Sequence, residues 1–380
     1  MIERTSFDDN IQLELYDCSR EDLANDFEDT PSLAESGLYR VVVTRAAGGA
    51  PYGAIIADYE LGPSARDMPL MRRCASVAFA AAAPFIAAAS PRFFGVRSCA
   101  QLARLALLPT AFERLDLTSW SCSRDPEVAR ACGLTFPRFL LRAPYRRGDG
   151  RASSLEYDES TAEHEHLCWG NASFAFATRL TESFARHRWC ANIVGPRGGG
   201  LIEGLSQPSG GLAGPTEVRL TDRTEAILSQ NGFVPLVGMD DGRACFFSAP
   251  STQKPMAFGA TPEARDAELN SILGTRLPYF FILCRIVHYL RVVYHDSRLA
   301  QAPRADVERE LGAWISQFIA DASVLGPEER RRRPLRKVEL AVTEPERAGE
   351  GRSLHLRLRP HFKYMGYFFT LSITAALEPG

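Results

Sequence analysis

The final stretch of the chain, Arg352 to Leu377, restricts the possible folds more than any other. It contains two runs in which every second residue is apolar; the first alternates leucines with His355, Arg357 and Arg359, the second alternates apolar residues with serine and threonine. A period of two over this length predicts half-buried strands. The polar residues before Gly366, between the two runs, favour a reversal of the chain. The pattern therefore predicts a terminal β-hairpin with an outer edge that can pair with another chain.

Composition limits the class of protein. With 380 residues the chain can hold two domains, and its net charge of −2 gives no reason to expect nucleic acid or a membrane surface as a partner. The nine cysteines form no CxxC pair, and their odd number indicates a reducing compartment. The most apolar stretch, Cys74 to Ser90, is shorter than the ~20 residues of a membrane span. We expect a cytoplasmic protein without membrane insertion, in which this stretch is a core helix that breaks at Pro84.

The first half of the chain mixes strand and helix signals. Residues Ile11 to Leu15 alternate in polarity, which predicts an opening strand. Ser19 followed by Asp22 resembles a capping box and predicts a short acidic helix. Residues Tyr39 to Thr44 suit either a helix or a strand. An apolar run that ends at Asp58 predicts a buried strand.

The middle of the chain gives clearer signals. Apolar residues between Trp169 and Trp189 recur at a spacing close to 3.6, which predicts one long helix. The run from Gly195 to Gly214 is rich in glycine, serine and proline and is expected to be loop. Beyond it we predict strands at Thr216 to Leu220 and Ala244 to Phe247, around a helix at Asp222 to Asn231.

A change of composition between Pro250 and Pro262 indicates a joint. We assign residues 1–262 to a main α/β domain and residues 263–380 to a C-terminal domain. The C-terminal elements are predicted to be two helices, one strand and the hairpin, at Ala264 to Asp296, Asp306 to Ala322, Lys337 to Val342 and Arg352 to Leu377. The fold class is therefore α+β (mixed α/β), in two parts.

Patterns that could bind metal or phosphate are weak. His164 and His166 would share one face of a strand, but a zinc site needs a third ligand at a suitable spacing, so a solvated loop is the better interpretation. The GPRGGG run at Gly195 to Gly200 has neither the lysine of a P-loop nor the GxGxxG spacing. We predict no metal and no cofactor.

Two acidic or basic residues could mark a catalytic neighbourhood. Asp58 is interpreted either as a catalytic acid or as a structural acid that caps another element. His288 shares a helix face with Arg285 and Arg291, which fits either a cationic face against another subunit or a solvated face with one half-buried histidine. No GxSxG, HExxH or cysteine–histidine nucleophile signature accompanies them. We predict that the chain is not an enzyme, with an enzyme using the Asp58 and His288 neighbourhoods as an alternative.

Eight segments, in order along the chain, resemble one protein family. They are GGAPYGAIIADYELG (48–62), APFIAAASPRFFG (83–95), GLTFPRFLLRAPY (133–145), CWGNASFAFA (168–177), NGFVPL (231–236), RIVHYLRVV (285–293), RRPLRKVEL (332–340) and LRPHFKYMGYFFTLSI (358–373). Together they are similar to the large subunit of the type VI secretion contractile sheath, the TssC (VipB, ImpC, EvpB) family. The resemblance implies a structural protein.

The family resemblance also implies partners. Members pair with a small sheath subunit (TssB, VipA), and the pairs polymerise into a helical tube around an inner tube of Hcp. Neighbouring sheath protomers share a sheet to which the C-terminal strands contribute, a case of β-augmentation. The baseplate and the ATPase ClpV are indirect partners.

This chain departs from the family pattern in ways that leave alternatives open. The family has a helical region and a linker strand before the point at which this chain begins, and the linker contributes to the shared sheet. A degenerate or truncated sheath-like protein, which binds sheath components without polymerising, is therefore a second interpretation.

If the hairpin is an assembly surface, seven of its residues are candidates for contacts with a neighbour: Arg357, Arg359, His361, Lys363, Phe369, Leu371 and Ile373. A solvated polar face is the alternative for Arg357, Arg359 and Lys363. A proline at Leu371 would remove one hydrogen bond of the ladder, so Leu371→Pro is expected to block assembly.

Overall fold

The computed structural model describes residues 11–44, 50–102, 118–147, 157–160, 166–206, 214–259, 261–296, 299–320, 326, 332–344, 351–361 and 370–377. Four residues that the sequence singled out, His164, Lys363, Gly366 and Phe369, lie outside these ranges. Within them the fold is α+β and ends in the predicted antiparallel hairpin. The division of the chain at residue 262 stays a prediction.

The elements are numbered in chain order. The helices are α1 Arg20–Asp29, α2 Gly37–Tyr39, α3 Asp67–Ala81, α4 Cys99–Leu102, α5 Thr118–Arg124, α6 Ala172–His187, α7 Asp222–Gln230, α8 Pro262–Gly274, α9 Leu277–Asp296 and α10 Arg304–Ser316. The strands are β1 Ile55–Leu61, β2 Phe85–Ala89, β3 Cys132–Phe136, β4 Phe139–Leu140, β5 Trp169–Gly170, β6 Leu201–Ile202, β7 Phe233–Gly238, β8 Ala244–Phe246, β9 Leu335–Thr343, β10 Arg352–Pro360 and β11 Leu371–Leu377.

The largest sheet has six strands in the order β1-β2-β3-β7-β8-β6. The first four strands run parallel, whereas β8 is antiparallel to both of its neighbours. Every residue of β2 and β3 is buried, which is typical of a parallel sheet with both faces covered. Strands β4 and β5 form a separate two-stranded ribbon.

An aromatic cluster fills the core on one side of this sheet. Phe233 of β7 lies 5.2 Å from Phe93, 5.4 Å from Phe94 and 5.2 Å from Trp120, measured between ring centroids. Phe94 lies 4.7 Å from Phe136 of β3. The same hydrophobic cluster continues through α9 to the leucines of β10, so buried side chains on both sides of residue 262 pack together.

Helix α9 is the most apolar of the long helices that the structure describes. Its residues Leu277 to Tyr294 are long and apolar enough to cross a membrane, but 67% of that window is buried inside the protein. It packs against the main core through Phe280 and Ile282, and it contacts β11. This apolar sequence is therefore accounted for by its position in the core.

A second sheet has three antiparallel strands in the order β11-β10-β9. Its inner face packs on α9 and α10, and α10 contributes the buried side chains of Val307, Leu311 and Ile315. Helix α10 ends at Ser316, earlier than predicted, because Ile319 forms a parallel bridge with Leu335 of β9.

Several local predictions are confirmed. Ser19 caps α1, because its side chain accepts the backbone N–H of Asp22 at 3.0 Å. The long helix predicted from Trp169 is α6, which Asn171 caps at its start. Residues 40–44 are helical, not a strand. The apolar stretch from Cys74 is helical up to Ala81, before Pro84, but its second part forms strand β2 instead of a helix.

Other local predictions are wrong. Residues 11–15 alternate in polarity but form no strand; no described strand pairs with them, and Leu15 is 87% exposed. The single helix predicted from Ala264 to Asp296 is two helices, separated at Thr275 and Arg276. Thr216 contributes one isolated bridge instead of a strand, and β7, which follows Gly232, was not predicted.

Candidate assembly site

The terminal hairpin lies in the register that its alternation requires. Leu356 at the centre of β10 is opposite Ile373 of β11 on one side and Leu340 of β9 on the other. The apolar residues of β10 and β11 face inward, and Leu354, Leu356 and Leu358 are at most 1% exposed. The hairpin is therefore docked on the body of the protein, and its polar residues form an outer face.

The outer face is held together by polar contacts between strands. Lys337 forms an ion pair of 2.7 Å with Glu339, and Arg357 approaches the same carboxylate at 3.9 Å. The ring of His355 lies between two hydroxyls, Thr343 Oγ1 and Thr374 Oγ1, each 3.1 Å away. Because these groups are exposed to solvent, such pairs contribute little to folding. The polar face is exposed in the isolated chain.

At the start of β11, side chains from other elements already bind the backbone groups of its outer edge. The guanidinium of Arg130 donates to the carbonyl of Ser372 at 3.1 Å, and the side chain of Asn270 accepts the N–H of Thr370 at 3.0 Å. Backbone groups alternate in direction along a strand, so the N–H and C=O of Thr374 also point outward. Among the described residues, none is hydrogen-bonded to the backbone of Thr374, and the edge is open there.

The opposite edge, on β9, is closed at both ends. Leu335 exchanges hydrogen bonds with Phe318 and Ala320, at 3.3 and 3.0 Å, and the N–H of Val342 donates to the carboxylate of Glu308 at 2.8 Å. Between these ends the backbone groups of Val338 and Leu340 point outward. No partner for them is present in the described part of the chain.

The six-stranded sheet differs at its two outer strands. At β1, Ser173 donates to the carbonyl of Ala57 at 3.2 Å and Asn171 donates to that of Tyr59 at 3.3 Å, where β1 bulges away from β2. At β6, Arg179 donates to the carbonyl of Leu201 at 2.5 Å. Covering of this kind is how soluble proteins prevent strand pairing between molecules. The β6 edge is thus protected at Leu201, unlike the outward positions of the terminal sheet at Val338, Leu340 and Thr374.

The predicted assembly residues fall into groups. Arg357 and Arg359 are exposed on the outer face, and His361 is half-buried, with its N–H donating to the carbonyl of Pro334 at 2.8 Å. Leu371 and Ile373 are 1% and 5% exposed and lie on the inner face. Their side chains stabilise the docked hairpin, and an assembly role for any of these residues stays a prediction.

The position of Leu371 also changes what the substitution Leu371→Pro can test. Leu371 is opposite Leu358, and its backbone groups point toward β10, because those of its neighbours Thr370 and Ser372 point outward. A proline at Leu371 would break the hairpin itself. It therefore cannot separate loss of assembly from loss of folding.

The prediction that a buried strand ends at Asp58 is wrong. Strand β1 continues to Leu61, and Asp58 is an exposed residue in its middle. Its carboxyl therefore faces solvent and does not enter an enclosed site.

His288 is buried, so neither prediction for its helix face is correct. Its Nε2 lies 2.8 Å from the carbonyl oxygen of Ala81, and Arg291 donates both Nη1 and Nη2 to the carbonyl of Ala80 at 3.2 Å. These carbonyls end α3, where a helix leaves backbone oxygens without intrahelical partners. Arg285 stacks on Phe184, 4.3 Å from its ring centroid. This face of α9 therefore caps the C-terminal end of α3 and packs in the core.

Burial gives His288 a testable effect on stability. Loss of solvation lowers its pKa to about 4, against the ordinary value of 6.5. Below pH 6.5 the histidine is protonated in the unfolded chain but stays neutral in the folded chain. The contribution of His288 to stability is therefore complete above pH 6.5 and decreases as the pH falls toward 4. The loss is roughly 3 kcal/mol over this range, at about 1.4 kcal/mol per pH unit. Denaturant titrations between pH 4 and 7 should show a shallower pH slope for His288→Gln, which keeps a neutral donor; equal slopes would contradict this account.

The remaining chemical candidates are also structural. In the GPRGGG turn, the N–H groups of Gly195, Gly198 and Gly200 donate to backbone carbonyls and are not available to an anion. Burial raises the pKa of the thiols of Cys132, Cys190 and Cys245 to about 12, so they are not ionised near neutral pH. No group of three histidine, cysteine or acidic residues that could hold a metal ion is found among the described residues.

Two residues that matter for the edge of β11 were not found from the sequence. Arg130 lies in a 3₁₀ turn before β3, and Asn270 lies in α8, 242 and 100 residues away from their backbone partners. Neither belongs to a recognisable motif. Only the folded arrangement brings them to the hairpin.

Comparison with known proteins agrees with this architecture. One family model, described as the EvpB/VC_A0108 tail sheath N-terminal domain, matches residues 1–253, and the gpW/gp25-like domain of the same tail sheath matches residues 266–377. The type VI secretion system sheath protein TssC1 of Pseudomonas aeruginosa is 33% identical over 341 residues, which are 87% of this chain and 68% of that protein.

These matches identify a tail sheath protein. The chain belongs to the family of the type VI secretion sheath large subunit, TssC/VipB/EvpB, as the order of its sequence segments predicted. The family is one of structural sheath proteins.

Proposed function

We propose that this chain is a structural, non-enzymatic subunit of a cytoplasmic type VI secretion sheath. It pairs with a small sheath subunit of the TssB/VipA type, and the pairs polymerise around an inner tube of Hcp. Contraction of the sheath then drives effector delivery, with the baseplate and ClpV as indirect partners. The function requires neither a cofactor nor nucleic acid.

The observation that carries this proposal is the open edge of the terminal sheet. That sheet keeps outward backbone groups at Val338, Leu340 and Thr374 without a described partner, whereas Arg179 covers the carbonyl of Leu201 at the β6 edge of the six-stranded sheet. An exposed edge of this kind binds an additional strand through backbone hydrogen bonds. Exposed Arg357 and Arg359 beside it add polar contacts for a neighbouring subunit or the inner tube.

Co-expression tests the pairing. The chain expressed alone is expected to aggregate, because its open edges and the surface for the small subunit stay exposed. Co-expression with the cognate small subunit should give a soluble complex that co-purifies through size exclusion. A monodisperse monomer that does not bind the small subunit would refute the proposed function.

The second candidate function is a sheath-like protein that binds sheath components without polymerising. The strands β9, β10 and β11 pair with one another within the chain, and this observation favours a subunit that folds without a neighbour's strand. Negative-stain electron microscopy of the co-expressed complex separates the two functions, because the first predicts tubes and the second discrete heterodimers.

A further inference from the structure

The beginning of the β11 edge is closed by groups that are themselves held in place. The guanidinium of Arg130, which is 8% exposed, also donates to the carbonyl of Gly274 at 3.0 Å and lies over the ring of Phe280, 5.4 Å from its centroid. Gly274 ends α8, the helix that also carries Asn270. One rigid unit therefore lies along β11 from Thr370 to Ser372.

This unit occupies the space that an added strand would need. Neighbouring strands lie about 4.8 Å apart, and hydrogen-bonded backbone atoms about 2.9 Å apart. The guanidinium nitrogen of Arg130 already lies 3.1 Å from the Ser372 oxygen, and the Asn270 oxygen lies 3.0 Å from the Thr370 nitrogen. Moving Arg130 aside would leave the Gly274 carbonyl without its donor and the buried guanidinium with only the 3.4 Å pair to Glu127.

We propose that Arg130 and Asn270 act together as a stop that sets the register of an incoming strand. A backbone strand from another sheath subunit can pair with β11 from Thr374 onward but cannot extend to Ser372 and Thr370. Because strand pairing is otherwise tolerant of sequence, such a stop supplies the register that backbone hydrogen bonds alone do not. This inference rests on the proposed sheath function and specifies how its β11 edge is used.

Amide hydrogen exchange in the complex with the small subunit, read at single-residue resolution by mass spectrometry, tests the stop. Asn270→Ala removes the acceptor, and alanine is compatible with helix α8. If no strand reaches Thr370, its amide should exchange roughly tenfold faster in this variant, while the amide of Thr374 stays protected. Asn270→Asp keeps an acceptor oxygen and should preserve the protection of Thr370.

Each result has a distinct meaning. Arg130 is unchanged in Asn270→Ala, so if Thr370 stays protected in this variant a strand has passed Arg130 at Ser372 and the inference is overturned. An unprotected Thr374 in assembled wild-type tubes would overturn it as well, with the sheath function intact. Failure to form any complex with the small subunit would instead refute the proposed function and remove the basis of the stop.

Discussion

Thr374→Pro is expected to abolish tube formation while leaving the chain folded and bound to its small subunit. The N–H of Thr374 points away from β10, so a proline there removes a donor only from the outer edge. Proline is tolerated on edge strands at outward positions. The expected cost to folding is about 1 kcal/mol, from the restricted backbone and the lost contact with His355. Electron microscopy and thermal unfolding of the same preparation measure both effects.

Thr374→Val is the matched control, because it loses the hydroxyl contact with His355 but keeps the backbone N–H. Tubes should form from this variant as they do from the wild type. Leu371→Pro should behave differently from Thr374→Pro, since it breaks the inner ladder and should lower the unfolding temperature strongly. Normal tubes from Thr374→Pro would exclude the β11 edge as an assembly surface.

Arg130→Met is expected to lower the free energy of unfolding by about 2–4 kcal/mol. The substitution keeps an apolar side chain of similar length, but it leaves the carbonyls of Gly274 and Ser372 without their donor. Desolvation by burial lowers the pKa of Arg130, which shows that part of the gain from these bonds is offset by the cost of burying the charge. Denaturant titration of the complex with the small subunit measures the change.

The control for Arg130→Met is Arg357→Met. Arg357 has the same chemistry, but its side chain is 70% exposed on the outer face and its ion pair is long. Its substitution should change the free energy of unfolding by less than about 0.5 kcal/mol. If the two variants lost equal stability, the guanidinium of Arg130 would not hold the hairpin to the body.

The predictions that succeeded from sequence rest on local patterns. The hairpin, the cap at Ser19 and helix α6 each depend on spacing within a few residues, and the structure confirms all three. The opening strand at residues 11–15 failed because alternation describes a strand only when a partner strand is present. The order of the six-stranded sheet, in which β3 pairs with β7, joins residues that are distant in sequence.

The candidate site was predictable only in part, because it also depends on contacts between residues that are distant in sequence. The sequence located the hairpin and its exposed arginines, since alternation decides which side chains face solvent. It could not show which backbone groups of β11 are open, because that depends on Arg130 and Asn270, which reach the hairpin from other elements. The burial of His288 was missed because its partner, the carbonyl of Ala81, is 207 residues away.

The order of the two sheets along the chain has a consequence for how the protein is made. During synthesis all six strands of the large sheet emerge, and can pair with one another, before β9 exists. Strands β9, β10 and β11 follow every other described element. At a ribosomal rate of about 5–20 residues per second, Leu335 to Leu377 takes roughly 2–9 s to appear. The open edge of the terminal sheet is thus exposed for the shortest time during synthesis, because every other described element precedes it.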